Sequence, residues 1–223
     1  MAFMDSSTTA LVAGLCGIGA VVFAGVVAVP QVRRILRTGD TAGVSATTAA
    51  LTVVACSSWA VYGVLEHLTW TVVSCSVACA TWLPLLVMLA RDGRWGHRSQ
   101  LLTAGVSVAL LAALTVGGVT ALGTALVIHG IAQYAPQVRV ALRSPDLSGI
   151  SVLSQALYFL CAVSNLGIAV IAHDGPLTAW AVTFMTASTI VMVRCVQTNA
   201  ALQWEIREAL RHPLVTARLS SHA

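Results

Sequence analysis

Six long runs without Asp, Glu or Arg divide this chain: Ser6–Val32, Thr41–Leu65, His67–Ala90, Ser99–Val138, Leu147–His173 and Gly175–Val193. Each holds the ~18 residues that cross a ~30 Å hydrocarbon layer as a helix. The fourth run is the longest and has room for two crossings, and Gly117-Gly118 with Gly123 offers the turn between them. The pattern predicts an all-α integral membrane protein with seven transmembrane helices.

Composition agrees and narrows the function. The 223 residues are 57% hydrophobic and 9% charged, with a mean hydropathy of +0.86, against about 25% charged in a soluble domain. The longest hydrophilic stretch beyond the spans is the tail from Arg194, which leaves no room for a soluble catalytic domain. No nucleophile–base pair, metal cluster or phosphate loop is visible, so no enzyme and no cofactor is expected. The six cysteines (Cys16, Cys56, Cys75, Cys79, Cys161, Cys195) form no CxxC pair. Cys75 and Cys79 lack His or carboxylate neighbours for a metal site, and all six are read as small packing residues.

The twelve basic residues are all Arg and all fall on one side of the seven-span scheme. Arg33, Arg34 and Arg37 follow span 1; Arg91, Arg94 and Arg98 follow span 3. Arg139 and Arg143 follow span 5, and Arg194, Arg207, Arg211 and Arg218 follow span 7. The opposite side holds Asp5, Glu66 and Asp174. The positive-inside rule then predicts a multi-pass protein of the cell membrane, N-terminus outside and C-terminus cytoplasmic. The first run lacks the basic n-region of a secretory signal. The charge of +4 reflects membrane orientation and not nucleic-acid binding. Leu202–Leu214 reads equally as an amphipathic surface helix or a solvated tail.

An internal repeat organises the spans. Pro30–Ser45 (PQVRRILRTGDTAGVS) aligns without gaps to Pro136–Ser151 (PQVRVALRSPDLSGIS), with nine of sixteen positions identical. The repeat offset, from Pro30 to Pro136, lays spans 1–3 over spans 5–7. Because one span connects them, the two triplets run the same way through the bilayer. The expected organisation is a first repeat over 8–91, a connecting helix over 99–117, a second repeat over 120–197 and a cytoplasmic tail over 198–223.

A Pro-Gln pair closing the first helix of each triplet resembles the PQ-loop superfamily. The parallel 3+1+3 layout resembles its SWEET branch of sugar facilitators, whose half-size bacterial relatives are the SemiSWEETs. The resemblance covers roughly residues 10–197. It implies two PQ-loop triple-helix repeats and alternating access to a solute held between them. The superfamily also includes lysosomal amino-acid and cystine exporters.

Proline inside a helix frees a carbonyl one turn upstream, here near Val26 and Ala132. In lipid that carbonyl must face protein or water, and Gln31 and Gln137 carry the groups to help. Pro30/Gln31 and Pro136/Gln137 are therefore candidate hinges, the alternative being that the prolines only end their helices. Arg37/Asp40 and Arg143/Asp146 also repeat, either as a latch between the repeats or as membrane anchors, loop ion pairs being worth under about 1 kcal/mol.

The stretch Cys56–Gly63 (CSSWAVYG) resembles the SWEET pattern in which a Trp stacks on the sugar ring, implying roles for Ser58 and Trp59. The position one repeat offset on from Trp59 is Asn165, which can bond hydroxyls and is costly in lipid without a partner. A packing aromatic and an interhelix hydrogen bond are the plainer alternatives. Where SWEETs place a pair of Asn in the third helices, this chain has Ser74, Cys75 and Ser76, and then Trp180–Thr183. Ser76 and Thr183 are the candidate substitutes, and Trp180 is expected in the outer aromatic belt. His129 lies two turns before Pro136 with Gln133 on its face, a candidate for solute binding or proton coupling, or a neutral His bonded to a neighbour.

The leading expectation is a facilitator for a small neutral polar solute, most of all a sugar. The alternatives are a proton-coupled exporter of amino acids or other metabolites and a non-transporting receptor or scaffold. The expected partners are that solute and the bilayer. Homo-oligomers are compatible with the scheme, yet one chain supplies both halves of the site.

Overall fold

The computed structural model describes residues 6–29, 32, 45–143, 147 and 152–211, with no side-chain detail beyond residue 198. Pro30, Gln31, Arg37, Asp40 and Asp146 lie outside the described residues. The described chain is helical: α1 (Ser6–Val26), α2 (Ala46–Leu65), α3 (Thr69–Arg91), α4 (His97–Arg143), α5 (Val152–Ala172) and α6 (Gly175–Arg211). These six helices are long and apolar enough to span a membrane. The expected seventh is contained in α4, a 47-residue helix broken by Gly118 at φ 72, ψ −164. Only glycine adopts that conformation without strain, so Gly118 divides α4 into an arm over 97–117 and an arm over 119–143.

The repeat survives in three dimensions. In the first triplet α3 packs on both α1 and α2; in the second α6 packs on both α4 and α5. Two further interfaces, α1 with α5 and α2 with α4, close the six into a ring. Close contacts repeat as well: Gly17 admits the Trp70 ring, and at the equivalent positions of the second repeat Gly123 admits Pro176.

The turns leaving α2 and α5 match bond for bond. Leu68 N donates to Gly63 O at 2.7 Å and Asp174 N to Ala169 O at 2.9 Å. His67 N reaches Val64 O at 3.4 Å and His173 N reaches Val170 O at 3.3 Å. This is the Schellman pattern of a helix C-terminus, with His67 (φ 57) and His173 (φ 55) in the left-handed position usually given to glycine. At the other end of the bundle, Ser45 caps α2 by accepting from Thr48 N at 3.2 Å.

The buried apolar residues are distributed unequally between the two ends. Toward the His67/His173 end one cluster joins both repeats: Ala20, Trp59, Tyr62 and Leu68 meet Leu122, Leu126, Ile168 and Leu177. The Leu110 side of the 97–117 arm covers it. Toward the Arg-bearing end the buried core separates. Ala46, Ala49, Trp82, Leu85 and Leu89 cluster within the first repeat. Ala141, Leu147, Val191 and Cys195 cluster within the second. The buried members of these two clusters come from one repeat each, and Leu157 and Tyr158 of α5 pack against the first.

Candidate functional site

Between the triplets lies a cavity of about 160 Å³. For scale, an apolar cavity of roughly 150 Å³ holds benzene, so this space suits a solute of about one six-membered ring.

The wall is built in pairs across the repeat. Positions related by the repeat offset both line it as Ala24/Gly130, Val27/Gln133, Thr52/Tyr158, Ala55/Cys161, Trp59/Asn165, Thr71/Leu177, Ser74/Trp180 and Ala78/Phe184. The members of each pair differ systematically. From α2 and α3 the first repeat contributes mostly small and hydroxyl-bearing residues beside Trp59 and Trp82. From α5 and α6 the second contributes Tyr158, Trp180 and Phe184, with Tyr134 from α4. Trp180 stacks on Phe184 with centroids 4.6 Å apart, and Tyr134 meets Phe184 edge-on at 4.0 Å. Charged side chains are absent from the described wall. In a low-dielectric space an ion without a counter-charge is costly, so the wall suits a neutral ligand.

Trp59 and Asn165 both face the cavity and are each 5% exposed. The Trp59 ring is edge-on to Tyr62 at 5.3 Å and to Trp180 at 5.8 Å. Asn165 Nδ2 donates to Cys161 O at 2.8 Å, folding back on its own helix. His129 and Gln133 share the wall as their i, i+4 spacing requires. Gln133 Nε2 donates to Thr52 Oγ1 at 2.8 Å, tying α4 to α2 across the repeats. His129 Nε2 and Thr71 Oγ1 are buried with no hydrogen-bond partner. Orphan polar atoms in a cavity wall are where a ligand's own polar groups gain most.

Other expected residues lie elsewhere. Ser58 is half-buried and outside the cavity wall. Ser76 is exposed and spends its hydroxyl on Val72 O at 2.8 Å. Thr183 bonds Ala179 O at 2.8 Å and faces a shallow outer groove beside Arg139. The wall positions are instead Ser74 and Trp180, which places the Trp180 ring in the cavity wall. Cys56, Cys75 and Cys161 also line the cavity, which simple packing residues need not do. Pro136 does not end its helix: α4 runs on to Arg143, and Gln137 joins the wall.

Sequence reasoning passed over the contact that shuts the sealed end. Tyr62 OH donates to Asp174 Oδ2 at 2.7 Å, joining α2 of one repeat to the α5–α6 turn of the other. Asp174 is held by its position, because Oδ1 accepts from Leu177 N at 2.6 Å as the N-cap of α6. The available signal was an Asp standing just before Gly-Pro at a helix start.

Residues 12–72 match the family model of the PQ loop repeat. No curated protein matches the chain. The matched segment spans most of α1, all of α2 and the start of α3, including the Pro-Gln pair and Trp59, and the pairing of its helices recurs in the second triplet. The chain carries a PQ-loop repeat over residues 12–72.

Proposed function

We propose that this protein is a transporter of the cell membrane that moves a small neutral polar solute, a sugar in the first place, by alternating access. One observation carries the reading: a ring-sized cavity without charged side chains in its described wall lies between two repeats that share a buried apolar cluster toward one end. Rocking the two triplets about the cavity would exchange which end is sealed. The Trp59 face suits the C–H face of a sugar ring, with Thr, Ser, Gln and Asn groups for its hydroxyls. The family resemblance to SWEETs supports the same solute class.

In this reading the chain crosses the bilayer seven times. The 47-residue α4 would be ~70 Å long if straight, more than twice a ~30 Å core, and Gly118 supplies the reversal. The Arg-bearing end is cytoplasmic by the positive-inside rule, the N-terminus is outside, and the Tyr62–Asp174 contact closes the outer end. No catalytic step or cofactor enters, and one chain completes the site.

A second reading is a proton-coupled exporter of amino acids or related metabolites. It is favoured by His129, an ionisable side chain in the wall with Nε2 unpartnered. Uptake of radiolabelled sugars and amino acids into proteoliposomes, with and without a pH gradient, tests both. Saturable sugar flux indifferent to pH supports the facilitator. Gradient-driven amino-acid flux replaces it with the exporter, and no flux for any solute defeats both in favour of a receptor or scaffold.

A further inference from the structure

A second concavity, of about 570 Å³, lies on the outside of the second repeat between α4 and α6. α4 lines one side with Ile131, Ala135, Arg139 and Arg143, a stripe at i, i+4, i+8 and i+12. α6 lines the other side from Val182 to Ile190, and the buried Tyr134 and Ala187 form the floor. The wall hydroxyls are spent within their own helix: Thr183 Oγ1 donates to Ala179 O and Thr186 Oγ1 to Val182 O, both at 2.8 Å. The groove is thus apolar along its length and cationic at one end, where Arg139 and Arg143 are exposed. Contacts at both ends hold its two helices together. Gly130 packs on Trp180 at one, and Arg194 Nε donates to Ala141 O at 3.1 Å at the other.

We propose that this groove binds one anionic phospholipid, its phosphate on Arg139 and Arg143 and one acyl chain along α4 toward Ile131. Charge and length both argue for that occupant. Each guanidinium is a planar fork that matches phosphate oxygens, and basic pockets between membrane helices take acidic headgroups. From Ile131 to Arg139 α4 rises ~12 Å, close to the half-thickness of a ~30 Å hydrocarbon core. A zwitterionic lipid brings its own cation and leaves the arginines uncompensated. A free phosphate satisfies the charged end and leaves the apolar length bare. Tyr134 lines both this groove and the solute cavity, so the bound chain lies one side chain away from that cavity. Such a site depends on the bilayer alone and not on transport.

The test titrates purified full-length protein, stripped of lipid in detergent, with phosphatidylglycerol or phosphatidylcholine. Bound lipid per chain is read by native mass spectrometry. Wild type should hold one phosphatidylglycerol about tenfold or more tightly than phosphatidylcholine, the scale set by two basic residues at a membrane surface. Arg139→Gln/Arg143→Gln should abolish that preference. Arg91→Gln/Arg98→Gln, an exposed pair outside the groove, should keep it. Ala135→Phe fills the groove, leaves both arginines in place, and should weaken phosphatidylglycerol binding severalfold. No preference in wild type, equal loss in the two arginine pairs, or unchanged binding in Ala135→Phe overturns the proposal. Displacement of the lipid by millimolar inorganic phosphate also overturns it and assigns the arginines to a free anion. A dimer that excludes lipid does so too and assigns the groove to a second copy of the chain. A thermal melt of each variant identifies unfolding, and the single Arg139→Gln variant then decides: it should also lose the preference. No solute enters the assay, so failure of every transport assay leaves its result standing.

Discussion

Tyr62 and Asp174 lie 112 residues apart in sequence and 2.7 Å apart at their polar atoms, in a buried hydrogen bond between the two repeats. It is the polar element of an otherwise apolar seal, so its loss should shift which end of the cavity is closed. Hydrogen bonds to charged groups are worth about 1.5–3 kcal/mol, which corresponds to roughly tenfold or more in a two-state ratio. Tyr62→Phe should therefore raise, by about that factor, the rate at which an external maleimide reaches a probe at Leu126→Cys in a cysteine-free background. An unchanged rate would show that the apolar cluster alone seals this end.

Gly123 is a second determinant of the same seal. A Cβ there would sit 2.8 Å from the Tyr62 ring and 2.9 Å from Pro176. The proline ring cannot rotate away, and overpacking typically costs about 1–3 kcal/mol. Gly123→Ala should prop the sealed end open in the same labelling assay. Gly105→Ala, where nothing lies within 4 Å, should behave as wild type in both labelling and thermal melting.

Trp59→Ala should weaken solute binding without unfolding the bundle. Aromatic contacts of this geometry contribute about 0.5–1.5 kcal/mol beyond burial, so KM should rise roughly threefold to tenfold. Trp59→Phe should keep most of the affinity. A KM unchanged by the alanine variant would reduce Trp59 to a packing residue of the seal.

His129 separates the two transport readings. For the facilitator, wild-type flux ignores an imposed pH gradient, and His129→Ala raises KM several-fold while that indifference persists. Flux that follows the gradient in wild type and loses the dependence in His129→Ala would establish proton coupling instead.

The paired prolines make a prediction about rate. Pro30→Ala/Pro136→Ala should slow turnover severalfold while the protein still inserts into the membrane, because α4 passes through Pro136 unbroken and would only lose its weak point. Wild-type turnover in the double variant would remove the hinge.

The repeat, the break at Gly118 and the convergence of Trp59 with Asn165 were all legible in the residues. Which face of each helix meets the cavity was not. In a soluble helix the polar side marks solvent and the apolar side the core. A membrane helix is apolar toward lipid and toward protein alike, so that signal is weak. Choosing Ser76 over Ser74 is a two-residue shift, about 200° around the helix, and it exchanges the cavity for the outside. The same ambiguity put Thr183 into the site and left the cavity-facing side of Trp180 unread. The His67/His173 turns were hidden for another reason: their likeness lies in φ angles and carbonyl partners, while the flanking residues differ.

The unequal pairs of the cavity wall have a consequence for how such a site can change. A pore assembled from two identical half-length chains must present every residue twice, so an improvement on one wall is imposed on the other. Fusing the halves through the 97–117 arm removes that constraint. Ser74 can stay small while its counterpart becomes Trp180, and Thr52 can stay a hydroxyl opposite Tyr158. A duplicated chain of this kind acquires a left and a right side. Under the transporter reading, a solute would be held in one orientation rather than two, and each wall is free to be selected for a different part of the same molecule.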